Sequence, residues 1–169
     1  LSLTLWADTT KRQEGGSPEG QGDVDINAAI DLGGGDFLAY GVNFDSTGGP
    51  ITAHDVTLAE TKTDDRFDSI ILGAPVEASG NFAAYSTGDF TSDAKITAAG
   101  TVVIDAGGAI NVNADIDPTS VTLTGASLDA DGVEIAADNA VTLNVPGAVI
   151  LGDLTAGTLN MGSASTADL

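Results

Sequence analysis

The 169-residue chain is rich in carboxylates and short of the residues that carboxylates usually work with. Asp129-Ala130-Asp131-Gly132-Val133-Glu134 offers three acids around a glycine turn. Ca2+ takes about six to eight oxygens from carboxylates, carbonyls and water, so Asp129, Asp131 and Glu134 are the candidate calcium ligands. The segment lacks the leading Asp and the distant Glu of an EF-hand loop, and the glycine-rich nonapeptide of calcium β-rolls is absent. Asp64, Asp65 and Asp68 form a second acidic cluster. Two tyrosines close similar hexapeptides, Gly35-Asp36-Phe37-Leu38-Ala39-Tyr40 and Gly80-Asn81-Phe82-Ala83-Ala84-Tyr85, 45 residues apart. Tyr40 and Tyr85 are therefore candidates for a stacking ladder toward a sugar or a protein. Four of the five basic residues, Lys11, Arg12, Lys62 and Arg66, are candidate binding groups; the fifth is Lys95.

Catalysis finds few parts. A Ser-His-Asp triad would need His54, the only histidine, which sits beside Asp55 without a Gly-x-Ser-x-Gly elbow. It reads as an exposed turn residue. Polysaccharide hydrolases need clustered carboxylates, usually with a nearby His and a basic clamp; lyases of the pectate type need Ca2+ and an Arg or Lys base. Acid pairs such as Asp64-Asp65 and Asp129-x-Asp131 occur, but His54 is not near such a pair in sequence. One Trp and two Tyr are too few to line a long sugar groove. The chain reads as non-catalytic, with Ca2+ as its only candidate cofactor.

With 25 acidic residues against 5 basic and a net charge of -20, the chain is a poor partner for nucleic acid or anionic membranes. It has no cysteine, which excludes disulfides and Cys-ligated zinc. The uncharged run from Asn139 to Gly152 is fourteen residues and contains Pro146. That is short of the about 20 apolar residues that span a bilayer, so no membrane insertion is expected. The chain opens on Leu1 without a signal-like segment and reads as a mature or excised piece.

What must position these residues is a repeat. Leu3, Phe37, Val56, Phe82, Val102, Val121, Val141 and Leu159 form one register, spaced 19, 26, 20, 19, 20 and 18 residues from Phe37 onward. A second apolar position follows seven or eight residues later, at Phe44, Phe90, Ile110, Leu128 and Val149. A third follows thirteen or fourteen after the first, at Ile51, Ile96, Ile116, Ile135 and Leu154. Self-similarity at a fixed period marks a solenoid. Three short strands per turn predict an all-β, right-handed parallel β-helix (a β-solenoid) of about 18–20 residues per coil. Triplets such as Val121-Thr122-Leu123 and Val141-Thr142-Leu143 alternate, so their outer two residues face inward and Thr faces out. Phe37, Phe44, Phe82 and Phe90 are expected in the core; Trp6, Tyr40 and Tyr85 are expected at the surface. Asn27 and Asn113, in matching octapeptides 86 residues apart, are candidate ladder residues at turns.

The register breaks twice between the first and second positions, where Leu3 to Val24 is 21 residues and Val56 to Ile70 is 14. Polar insertions at 9–20 and 62–68 fill these gaps and carry the four basic candidates. Insertions at one corner often form the binding face of a solenoid. Both lie outside the registers, so deleting Lys11 to Gly20 and Lys62 to Phe67 is expected to spare the fold.

The runs Leu3 to Asp8, Gly22 to Gly35 and Gly108 to Asp117 resemble filamentous haemagglutinin-type exoproteins. Those are very large bacterial surface proteins, exported by two-partner secretion, with long β-helical shafts. The Asn-Pro motifs of their secretion domain are missing, so the resemblance implies a piece of shaft. Residues 1–169 are expected to be one β-helix segment of a secreted, cell-surface adhesin or filament. Partners would be a host or environmental glycan or protein, and further copies joined end to end. The alternatives are a polysaccharide-binding or polysaccharide-cleaving β-helix, or a calcium-stabilised matrix or surface-layer protein. About seven coils should rise roughly 35 Å at about 4.8 Å each.

Overall fold

A computed structural model describes residues 1–7, 22–60, 66–162 and 166–168. Among these residues there is no helix, and one sheet of 17 strands, paired in parallel, winds as a β-solenoid of about seven turns. The registers read from the sequence are its three core columns. The first pairs Leu3, Phe37, Val56, Phe82, Val102, Val121, Val141 and Leu159 in succession. The second runs Val24, Phe44, Ile70, Phe90, Ile110, Leu128 and Val149. The third contains Ile30, Ile51, Val76, Ile96, Ile116, Ile135 and Leu154. Ile30 and Val76 thus complete the third register.

Side chains two residues on also face inward, and their sizes shape the cross-section. On the first face Ala39, Leu58, Ala84, Ile104, Leu123 and Leu143 stack and are buried. On the third the equivalent column is small, with Ala53, Ala78 and Ala98. Early coils use separate two- to five-residue strands such as Val24–Asp25, Phe37–Tyr40, Ile51–Ala53 and Phe82–Ser86. Later coils run strands through their corners, as in Ile96–Ala106 and Ser127–Asn144. The end coils are less covered: Leu1, Ile150, Leu159 and Met161 are exposed.

All five phenylalanines are fully buried, including Phe67. This overturns the assignment of Phe67 to a dispensable insertion. Its ring meets Phe44 edge-on at 5.6 Å between centroids, and its backbone bridges to Ser86 one coil above. Asp68, at the same corner, donates its N–H to the Val42 carbonyl at 2.6 Å. The second detour therefore re-enters the coil at Arg66 and Phe67. It leaves through Ala59, the one non-glycine residue with positive φ (65°) among those described, a sparsely populated conformation for an L-residue. Lys11, Arg12, Lys62, Asp64 and Asp65 lie outside the described residues.

Burying a large apolar side chain is worth about 1.5–3 kcal/mol, and its truncation adds the cost of a cavity. Phe67→Ala should therefore lose about 3–5 kcal/mol. Ile71→Ala, four residues on but 38% exposed, should lose less than about 1 kcal/mol. Val121→Asp, which places an unpaired charge in the first column, should abolish cooperative unfolding at room temperature. Urea melts followed by far-UV circular dichroism would rank the three.

Candidate functional site

Where a coil turns a corner its ladder is interrupted, and backbone N–H groups need other acceptors. At the corner entering the first face, side-chain oxygens supply them. The N–H of Asp36 donates to Ser2 Oγ (3.1 Å), and that of Asp55 to Asp36 Oδ1 (3.3 Å). The N–H and side-chain amide of Asn81 donate to Asp55 Oδ1 at 2.7 and 3.2 Å. The N–H and hydroxyl of Thr101 both donate to Asn81 Oδ1 at 3.0 Å. Each of these residues directly precedes a member of the first column. A parallel backbone ladder joins Gly35, His54, Gly80 and Gly100 through N–H to carbonyl bonds of 2.7 Å.

This geometry adds Asp36 to the Asp55 that His54 already has beside it in sequence. Asp36 stacks one coil from Asp55, and the ligand atoms of Asp36, His54 and Asp55 lie within 4.8 Å of one another. His54 and Asp36 are exposed, while Asp55 is half-buried. His54 Nδ1 is 3.2 Å from Ser79 Oγ. A side chain at Gly80 would run into both the Asp55 carboxylate and the His54 ring, so the missing Cβ makes room for the pair. Beside the corner, the third face carries an open depression of about 280 Å3 bordered by Thr52, Glu77, Ser79 and Thr97. The sequence signal for the acidic pair was the shared position immediately before the first register, in Gly35-Asp36-Phe37 and His54-Asp55-Val56.

The remaining candidates among the described residues do not converge. Arg66 is not a free binding cation: its guanidinium forks onto both oxygens of Asp105 at 3.1 and 2.5 Å and lies over the Tyr85 ring at 5.7 Å. Its side chain is only 16% exposed. Tyr40 is buried rather than exposed, packed against Trp6 at 4.8 Å, with its hydroxyl donating to Glu60 Oε1 at 2.6 Å. Tyr85 is half-buried, and the coil between the two tyrosines contributes Ala59 with its turned backbone, so they form no ladder.

The calcium candidates also part. Asp129 Oδ1 accepts the N–H of Asp131 at 3.2 Å, closing a local turn before Gly132 at φ 70°. Glu134 turns to the next coil, its Oε1 accepting from Thr155 Oγ1 at 3.2 Å. Among the described residues the one cluster of three potential ligands is Asp36, His54 and Asp55. Asp68 accepts from Thr87 Oγ1 at 3.3 Å. Asn113 is a ladder residue, donating to Asp93 at 2.7 Å, whereas Asn27 has no such partner among the described residues. Compared with protein-family models, with curated proteins and with solved structures, the chain matches none.

The Arg66–Asp105 pair joins chain positions 39 residues apart and pins the end of the second detour to the coils above it. Bidentate, partly buried pairs exceed ordinary surface ion pairs. A double-mutant cycle of Arg66→Ala and Asp105→Ala should give a coupling of about 1 kcal/mol or more in urea melts. A value near zero would make the fork incidental.

Proposed function

We propose that this chain is a non-catalytic shaft segment of a large secreted bacterial surface protein, an adhesin or extracellular filament. The observation that carries the reading is the set of three unbroken core columns. Every coil from Phe37 to Asn144 is paired above and below, and the interior is filled by stacked side chains. Such a body resists bending because each coil is tied to its neighbours by parallel ladders on three faces. Several of its outward residues bond between coils, as in Asp23–Asn43–Ser69 and Thr124–Asn144. The coil grammar resembling filamentous haemagglutinin-type shafts points the same way. So does a charge of -20, which keeps rods apart laterally.

The strand edges left unpaired among the described residues favour lengthwise association. Among the described residues Leu3–Trp6 pairs on one side only, with Phe37–Tyr40, and no strand pairs with the outer edge of 154–161. Open edges bearing exposed Leu1, Leu159 and Met161 invite another chain. Protein of this sequence should form end-to-end oligomers whose size grows with concentration and with salt, as screening shortens repulsion to about 8 Å at physiological ionic strength. Light scattering coupled to gel filtration would read this; a monomer at high salt and high concentration would remove the support.

Any adhesive role falls to the insertions with Lys11, Arg12 and Lys62, acting on a glycan or protein. Deleting 9–20 and 62–65, while keeping Phe67, should leave the fold intact and be silent for a pure shaft. Glycan-array binding lost with those loops would make the segment an adhesin. Polysaccharide turnover by the purified chain would overturn the non-catalytic reading.

A further inference from the structure

We propose that the Asp36–His54–Asp55 corner is a site for a divalent transition-metal ion of the zinc class, built on two successive coils. Three observations support it. The ligand atoms of the three side chains lie within 4.8 Å of one another. The donor set mixes one imidazole nitrogen with two carboxylates, and imidazole selects Zn2+ and its neighbours over the oxygen-seeking Ca2+ and Mg2+. The surroundings also orient the ligands. Asp36 and Asp55 each spend Oδ1 on a backbone N–H of the next coil, which fixes the carboxyl group and leaves Oδ2 for an ion. His54 Nδ1 lies 3.2 Å from Ser79 Oγ, and in the tautomer where Nδ1–H donates to that hydroxyl, Nε2 keeps its lone pair for an ion. A hydrogen-bonded partner on the non-ligating nitrogen is the usual second support of a metal-bound histidine. Gly80 keeps the space between Asp55 and His54 open.

Three protein ligands leave one tetrahedral position for water or an outside donor. The ion would also relieve the repulsion between carboxylates stacked on adjacent coils. Its role in a shaft is a staple across coils, independent of the loops and of the open ends. The site therefore stands or falls separately from the shaft reading.

The test uses the full chain with Zn2+ as probe. Because His54 is the only histidine and there is no cysteine, its ring protons report imidazole coordination without ambiguity. Zn2+ should bind with one-to-one stoichiometry by calorimetry, shift the His54 ring resonances, and raise the midpoint of thermal unfolding. His54→Ala should weaken binding at least tenfold. Asp55→Asn keeps the oxygen that accepts from Asn81 and removes the charge; it should weaken binding similarly while circular dichroism stays unchanged. A hundredfold excess of Ca2+ should not displace the ion. Undiminished binding in His54→Ala, unmoved ring resonances, or displacement by equimolar Ca2+ would each show only diffuse attraction to an acidic surface and overturn the site.

Discussion

The parallel ladder sets everything else in this molecule. Strands on successive coils lie about 4.8 Å apart, so every side chain rests on its equivalent one coil below. Like must tolerate like. In the interior the requirement is easily met, because apolar side chains of similar size fill the column without voids, as Val102, Val121 and Val141 do. Phe67 joins this interior. The ring re-enters just before Ile70 and Leu72 and packs edge-on against Phe44.

At the corners the same constraint is harder to meet, and the solution is polar. A turning backbone exposes N–H groups that the ladder no longer serves, and a short side-chain oxygen one coil below reaches them. Ser2, Asp36, Asp55 and Asn81 do this in succession, and Asp89 does it for Ala109 at another corner. The acids among them are recruited for their acceptor oxygens. Their cost is mutual repulsion where two fall on adjacent coils. The chain meets that cost at this corner by placing Asn81 after Asp55 as a neutral acceptor and His54 beside Asp36 and Asp55; elsewhere Arg66 forks onto Asp105. A largely acidic surface thus stays compatible with close stacking.

Insertions interrupt this order only where the ladder can be rejoined. Ala59 at φ 65° takes the chain out, and Phe67 with Arg66 brings it back under anchors from two coils. The aromatic and basic residues nearest the detour are consequently absorbed into structure. Tyr40 bonds Glu60, Tyr85 lies under Arg66, and neither offers a free ring face for a ligand ladder.

Coil number and the three columns were legible in the linear chain, because a repeat writes its period directly into the spacing of apolar residues; the bounds of the second detour were not, since Phe67 belongs to the core. Asn113 as a ladder residue was legible for the same reason. The site was not. Whether a charged or aromatic residue is free depends on what stacks above and below it, and those neighbours lie about twenty residues or more away. Arg66 meets Asp105 across 39 residues, and Asp36 meets Asp55 across 19. Asp129 and Glu134, five apart in sequence, turn to different partners because a strand alternates its faces and Gly132 redirects the chain between them. The sequence alone determined which residues share a column, since burial enforces the period. Only the tertiary structure decided which polar groups satisfy one another across coils, since hydrogen bonds and ion pairs depend on ångström-scale placement that periodicity does not encode.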